Sequence, residues 1–237
     1  MRLSFDSRVA LVTGASPAIC GAVAEALRQS GAAVHITADN ATLHDLAGRI
    51  GARYHRFDVR DRHDAHEAVR YVVETEGRID VLIHTAATAE APDDEATESI
   101  DQDNWRAVIA MGVETGFWLA QACAPAMKRA GFGRIVLVAS PSTNGAGDPA
   151  ADTARHALVG VTRRVSADVG PYGITVNAIL PGDIEAENVD ACETEGGNNL
   201  ARRYGRPEDV AHAAVFLASE QAAWINGQVL PVDGGRG

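Results

Sequence analysis

Short apolar runs alternate with longer amphipathic stretches along the whole chain. The first run, Val9–Val12, has four consecutive apolar residues, the pattern of a parallel strand covered on both faces. Thr13-Gly14 supplies a turn. Ser16 is placed to cap a helix, and Pro17 suits a first helical position, where its missing N–H costs nothing. Ile19, Val23 and Leu27 then recur at helical spacing until Gly31 closes the helix. The same rhythm predicts further strands at Ala33–Thr37, Arg53–Phe57, Ile79–Ile83, Arg134–Ala139, Ile174–Leu180 and Gln228–Val232. Between them it predicts helices over 41–50, 62–76, about 100–129, 150–169, and from Pro207 to about Ser219. In the helix over 62–76, Ala65, Ala68, Val69 and Val72 share the inner face. The long helix over 100–129 carries Trp105, Val108, Ile109, Val113, Phe117 and Leu119. Residues 88–99 read as an acidic connection and 140–149 as turn chemistry. Residues 183–204, acidic and rich in Gly and Asn, read as a substrate lid; a solvated loop is the alternative.

Seven strands alternating with helices, without repeats or linkers, predict one α/β domain over 1–237. It would be a three-layer, doubly wound, parallel sheet. Ligands of such sheets lie at the carboxyl ends of the strands, near the point where strand order reverses. The residues just after the strands are therefore the candidates for chemistry. The first is the turn after Val12, where a helix N-terminus follows a buried strand. That arrangement is a natural anion site, suited to a pyrophosphate; a plain strand–helix turn is the alternative.

Composition narrows the function classes. The chain has 237 residues, 46% of them apolar, enough for a globular core. The net charge of −11 argues against nucleic acid and anionic membranes as partners. No apolar run approaches a membrane span in length, and the first residues lack a signal-peptide core. Cys20, Cys123 and Cys192 are widely spaced, which fits neither a disulfide framework nor a metal site and points to a reducing cytoplasm. The histidines show no metal-binding spacing, so no metal is expected.

Several motifs, in order, carry a resemblance. They are Val12-Thr13-Gly14-Ala15-Ser16, Asp58-Val59, Gly173–Ile179, Pro181-Gly182, Tyr204–Ala211, Phe216–Ser219, Gly227–Leu230 and Asp233-Gly234-Gly235. Together they resemble the short-chain dehydrogenase/reductase superfamily over nearly the whole chain. The resemblance implies a Rossmann-type sheet of order 3-2-1-4-5-6-7. It also implies a homodimer or homotetramer built through the helices over 100–129 and 150–169 and the last strand. A hetero-oligomer with a related chain is a further option.

It also implies a nicotinamide dinucleotide site at Gly14, Ser16, Ala18, Ile19, Asp58, Val59, Ala86, Pro181 and Gly182. Asp39, after the second strand, would accept from a ribose hydroxyl and repel a 2′-phosphate, which favours NAD over NADP; a turn-forming Asp-Asn is the alternative. Yet the family's site pattern is interrupted. In its TGxxxGxG turn the second glycine is Ala18 and the third Cys20, the latter expected near the nicotinamide end. Its Asn-Asn-Ala-Gly is His84-Thr85-Ala86-Ala87. Its catalytic Asn falls on Gly112 and its Ser on Ser140. The Tyr and Lys of its YxxxK motif fall on Ala151 and Arg155. Alanine has no proton to give, and a guanidinium is a poor acid or base near neutral pH.

These departures point to weak or absent NAD(P) binding. They favour a non-redox enzyme of cyclase, isomerase or lyase type on a small oxygenated substrate. Ser140 and Arg155 would hold an oxygen, with Ser142 nearby. His84, and Asp152 paired with His156 one helical turn on, are the candidate acids and bases. The alternatives are a satisfied structural histidine at His84 and a solvated surface contact for Asp152 and His156. Two other readings stand beside it: an NAD(P)H-dependent ketoreductase with a non-tyrosine proton donor, and a catalytically silent subunit of an active partner.

Overall fold

The computed structural model describes residues 3–14, 16–38, 41–86, 100–140, 149–185 and 199–235. The strands are β1 Val9–Gly14, β2 Ala33–Thr37, β3 Arg53–His55, β4 Val81–Thr85, β5 Gly133–Val138, β6 Ile174–Pro181 and β7 Val229–Val232. The helices are α1 Pro17–Gln29, α2 Ala41–Ile50, α3 Arg62–Glu76, α4 Gln102–Ile109, α5 Thr115–Ala130, α6 Pro149–Val169 and α7 Pro207–Leu217. All strand pairs are parallel, in the order β3-β2-β1-β4-β5-β6-β7. This is the expected Rossmann-type arrangement, and strand order reverses between β1 and β4.

The continuous apolar runs are explained by burial on both faces. Successive strand residues point to opposite sides. Ala10, Val12, Ile36, Ile83 and Val138 pack under α1 and α7, with Val23, Leu27, Val210 and Ala214. Leu11, Leu82, Ile135, Leu137 and Val176 pack under α3, α5 and α6, with Val72, Leu119, Met127 and Leu158.

Element boundaries differ from expectation in three places, each for a local reason. Strand β4 begins at Val81 rather than Ile79, because the buried Asp80 carboxylate accepts from the Val9 N–H at 2.9 Å and from Arg8 and Arg78. Those bonds close the foot of the sheet. Strand β3 stops at His55, where its partner β2 ends at Thr37. The long helix is not continuous: a π-turn, Ala110–Glu114, separates α4 from α5. There the Ala110 carbonyl accepts from both the Thr115 N–H and, at 3.1 Å, the Thr115 hydroxyl.

The stretch Gln102–Ala130 is also long and apolar enough to cross a membrane by length and composition, which corrects the expectation that no run approaches a span. In this fold it packs against α3 and α6. The acidic connection over 88–99, residues 141–148 of the turn segment and residues 186–198 of the expected lid lie outside the described residues.

Candidate functional site

The turn after β1 is built by Gly14. Its φ is +144°, and a Cβ there would overlap the Thr85 carbonyl and hydroxyl. A side chain is excluded by both backbone and space. Ser16 caps α1, its hydroxyl accepting from the Ile19 N–H at 3.5 Å, and Pro17 takes the first turn. The helix N-terminus therefore faces the switch point.

Of the two residues at family glycine positions, Cys20 is fully buried among Ile19, Val23 and Ala24. Its bulk goes into the core, not into the cleft, which corrects the expectation of a side chain near the nicotinamide end. Burial pushes its thiol up to about 12. Gly21 serves α1–α2 packing, since a Cβ would lie 2.8 Å from Leu46 Cδ2. Ala18 adds one half-buried methyl at the turn. The residues present thus fit a dinucleotide: the positive-φ glycine and the capped helix end remain, and the larger of the two changes is absorbed elsewhere.

Asp58 follows β3, but its carboxylate is gripped by Arg60 through two bonds of 2.7 Å, which hold it below the usual carboxylate range. An adenine contact at Asp58 would share it with that guanidinium. Val59 and Ala86 are buried, and the Ala86 N–H donates to the Val138 carbonyl at 2.8 Å. Asp39 and Ser142 lie outside the described residues.

His84 is not placed as an acid or base. It is 1% exposed at the end of β4, and its Nδ1 lies 2.8 Å from Thr13 Oγ1. Gly116 makes room for the ring, since a Cβ there would lie 3.3 Å from His84 Cδ2. Burial lowers its pKa to about 4, against a smaller opposing effect of the Met111 backbone. The imidazole is therefore neutral at physiological pH.

Helix α6 carries the other candidates. Ala151 is half-buried, while Asp152 and His156 are exposed. His156 Nδ1 lies 2.7 Å from the backbone carbonyl of Asp152. That contact is with the main chain, so the expected carboxylate–imidazole couple is replaced by a local helix contact. Arg155 reaches back to the sheet: Nη1 donates to the Ser140 carbonyl, and Nη1 and Nη2 both donate to the Pro181 carbonyl at 3.2 Å. Ser140 is 7% exposed. Gly182 continues the rim, its N–H donating to the Val232 carbonyl at 2.9 Å. Thus Ser140, Arg155, Pro181 and Gly182 are brought together, with the π-turn beside α6: a Cβ on Gly112 would lie 2.7 Å from Ala154 Cβ. The π-turn and the Arg155 clamp were not foreseen. The small pair Gly112 and Ala154 was the one signal of close helix approach.

Comparison with known proteins bears on the fold and the family. The family described as Enoyl-(Acyl carrier protein) reductase matches residues 14–236. The chain is 36% identical to D-threitol dehydrogenase of Mycolicibacterium smegmatis, over 97% of this chain and 93% of that one. It is 30% identical to 3-oxoacyl-[acyl-carrier-protein] reductase FabG of Rickettsia conorii, over 98% of each. The crystal structure of a hydroxysteroid dehydrogenase from Escherichia coli superposes with a TM-score of 0.87 at 27% identity, covering 99% of this chain and 98% of that one. These full-length relatives are named as dehydrogenases and reductases, and that overturns the expectation of a non-redox or silent protein. Motifs, sheet order and relatives converge: the chain belongs to the short-chain dehydrogenase/reductase superfamily.

Proposed function

We propose that this protein is an NAD(P)(H)-dependent oxidoreductase that interconverts a carbonyl and a hydroxyl group on a small organic substrate. The observation that carries this reading is the full-length similarity to D-threitol dehydrogenase and to the 3-oxoacyl reductase. The intact Gly14 turn and capped α1 support it. A nicotinamide dinucleotide, when bound, exchanges hydride with the substrate carbon. The turn at Gly14, Ser16, Ala18 and Ile19 would hold its pyrophosphate, and Pro181 and Gly182 would flank the other end. Asp39 favours NAD over NADP.

In this reading the site is atypical, with a degenerate catalytic set. Ser140 holds the substrate oxygen. The proton comes from a source other than a tyrosine on α6, since Ala151 has none to give and His84 is buried and neutral. Water reaching Ser140 is the simplest supply.

The whole chain acts as one domain, with residues 183–204 as the substrate lid. It assembles as a homodimer or homotetramer. Only 33% of the most apolar window of Gln102–Ala130 is buried within the chain, and Trp105 is 37% exposed, which suits a subunit interface. A cytoplasmic setting fits Cys20 and Cys123, which are free and buried.

The deciding experiment is titration with NADH and NADPH by protein fluorescence. Absorbance assays would follow, using NAD with tetritols and NADPH with 3-oxoacyl thioesters. Binding in the micromolar range with turnover on either class supports the proposal; no binding of either dinucleotide sinks it.

A further inference from the structure

We propose that Arg155 is a positioning residue: its guanidinium sets the separation of the ends of β5 and β6, and with it the stance of Ser140 against the Pro181–Gly182 turn. The two strands are joined up to the bond from the Ala139 N–H to the Ile179 carbonyl, at 2.9 Å. One residue further along the chain from Ala139, and two from Ile179, the guanidinium takes over. It donates to the Ser140 carbonyl on one side and, through two nitrogens at 3.2 Å, to the Pro181 carbonyl on the other. These acceptors lie 15 and 26 residues away in sequence, so the contacts are tertiary and not part of helix α6 itself. A planar fork of donors suits two carbonyls at once, whereas an ammonium offers a single point of charge.

The helix that delivers Arg155 is itself fixed. Ala150, Ala154 and Leu158 are buried along one face of α6, and Ala154 meets the π-turn at Gly112. The far side of the rim is fixed as well. Gly182 bonds to Val232, and a Cβ on Gly182 would lie 2.7 Å from the Asp233 Cα. Arg155 therefore joins a rigid helix to a rigid rim across the strand ends that carry Ser140 and Gly182. This differs from holding a substrate oxygen, the role expected of it from its position in the sequence. Its consequence for catalysis rests on the oxidoreductase reading; its consequence for the rim does not.

The test uses the full-length variants Arg155→Met and Arg155→Lys, with amide hydrogen exchange, thermal unfolding and NADH and NADPH titration. In Arg155→Met the amides of Ala139 and Gly182 are expected to exchange about tenfold faster or more, with those of Val12 and Leu82 unchanged. Dinucleotide affinity is expected to fall by about tenfold, and Arg155→Lys to lie between wild type and Arg155→Met. Unchanged exchange at Ala139 and Gly182 overturns the proposal. So does a rise shared equally by all sheet amides, which would mark a merely stabilising residue. Faster rim exchange with unaltered affinity in a wild type that binds dinucleotide also overturns it. If the wild type binds neither dinucleotide, the oxidoreductase reading fails, and the exchange pattern alone upholds or overturns the clamp. Should Arg155→Met not fold, the same rim amides in Arg155→Lys decide the matter.

Discussion

His35 Nδ1 lies 2.9 Å from His55 Nε2, joining β2 to the short edge strand β3. The other nitrogen of His35 lies 3.0 Å from Glu76 on α3, which also pairs with Arg53. Tyr71 packs on His55, with ring centroids 4.5 Å apart. With Glu76 ionised, the chain of bonds runs from His55 N–H to His35, and from His35 N–H to the carboxylate. His35 is neutral in that arrangement, because a proton added to its Nδ1 would face the His55 N–H; His55 is held neutral by burial first.

Acid should therefore loosen this edge. Burial, first, and Arg53 hold His35 at about 4. Burial, His35 and Arg53 do the same for His55, and burial puts His84 at about 4 as well. The unfolded chain takes up these protons near the ordinary histidine value of 6.5, the folded chain only near 4. Stability is thus fully present above about 6.5 and is lost as pH falls toward 4. The thermal midpoint is expected to drop by roughly 4 °C or more between pH 7 and pH 5. His55→Gln, which keeps a donor for His35 but does not titrate, should flatten that dependence. An equally steep fall in the variant would remove the pair as its cause.

Gly112 stands where the family places an asparagine, and its hydrogen faces Ala154 across the contact between the π-turn and α6. Adding a Cβ 2.7 Å from another must push the helices apart. Gly112→Ala is expected to destabilise by about 1–3 kcal/mol in denaturant unfolding. The cost should shrink when Ala154→Gly is combined with it, a non-additivity that a double-mutant cycle reads directly. Full additivity would mean that the two positions do not compete for space.

Much of the fold was legible because its strands are short, apolar and punctuated. The order β3-β2-β1-β4-β5-β6-β7 follows from the family motifs, and β2, α2 and α3 have their expected limits. What was not legible depends on partners distant in sequence. Ile79 is apolar and reads as strand, but Asp80 beside it is a cap for β1. A π-turn inserts one residue without disturbing the apolar count, so periodicity alone does not reveal Ala110–Glu114. His84 was a candidate because histidine changes charge near neutral pH, with a satisfied structural role as the alternative; what decides between them is Gly116, on another element, which creates its niche. The direction of the Arg155 side chain is set by carbonyls, which every residue has. Cys20 was legible: with Ala24 and Leu27 it falls on the inner stripe of α1, and the family pattern drew attention away from that.

The two changes in the nucleotide turn should separate by experiment. Cys20→Gly removes a fully buried side chain from the core and places glycine inside α1. A loss of about 2–4 kcal/mol is expected in urea unfolding, with little gain in dinucleotide affinity. Ala18→Gly removes only a half-buried methyl at the helix end. It should tighten NADH binding about three- to tenfold, as the backbone comes closer to the pyrophosphate. Tighter binding from Cys20→Gly instead would place that side chain in the cleft after all.

Ala151 offers the most direct test of the proton supply. It lies on α6, one helical turn before Arg155, and is half-buried. Ala151→Tyr puts a phenol at the family's acid position. If the enzyme draws its proton from water, a positioned acid should raise turnover by about 10²-fold. The gain should stay near the lower end of the usual range for such catalysis, because Arg155 is committed to the Ser140 and Pro181 carbonyls and is poorly placed to lower the phenol pKa. The pH–rate profile should then acquire a new ionisation toward the alkaline side, absent in wild type, as the phenol loses its proton. Ala151→Phe controls for bulk: it fills the same space without a proton and should give no gain. Equal rates for the Tyr and Phe variants, at unchanged dinucleotide affinity, would mean that proton delivery does not limit the proposed reaction, or that another group already supplies it.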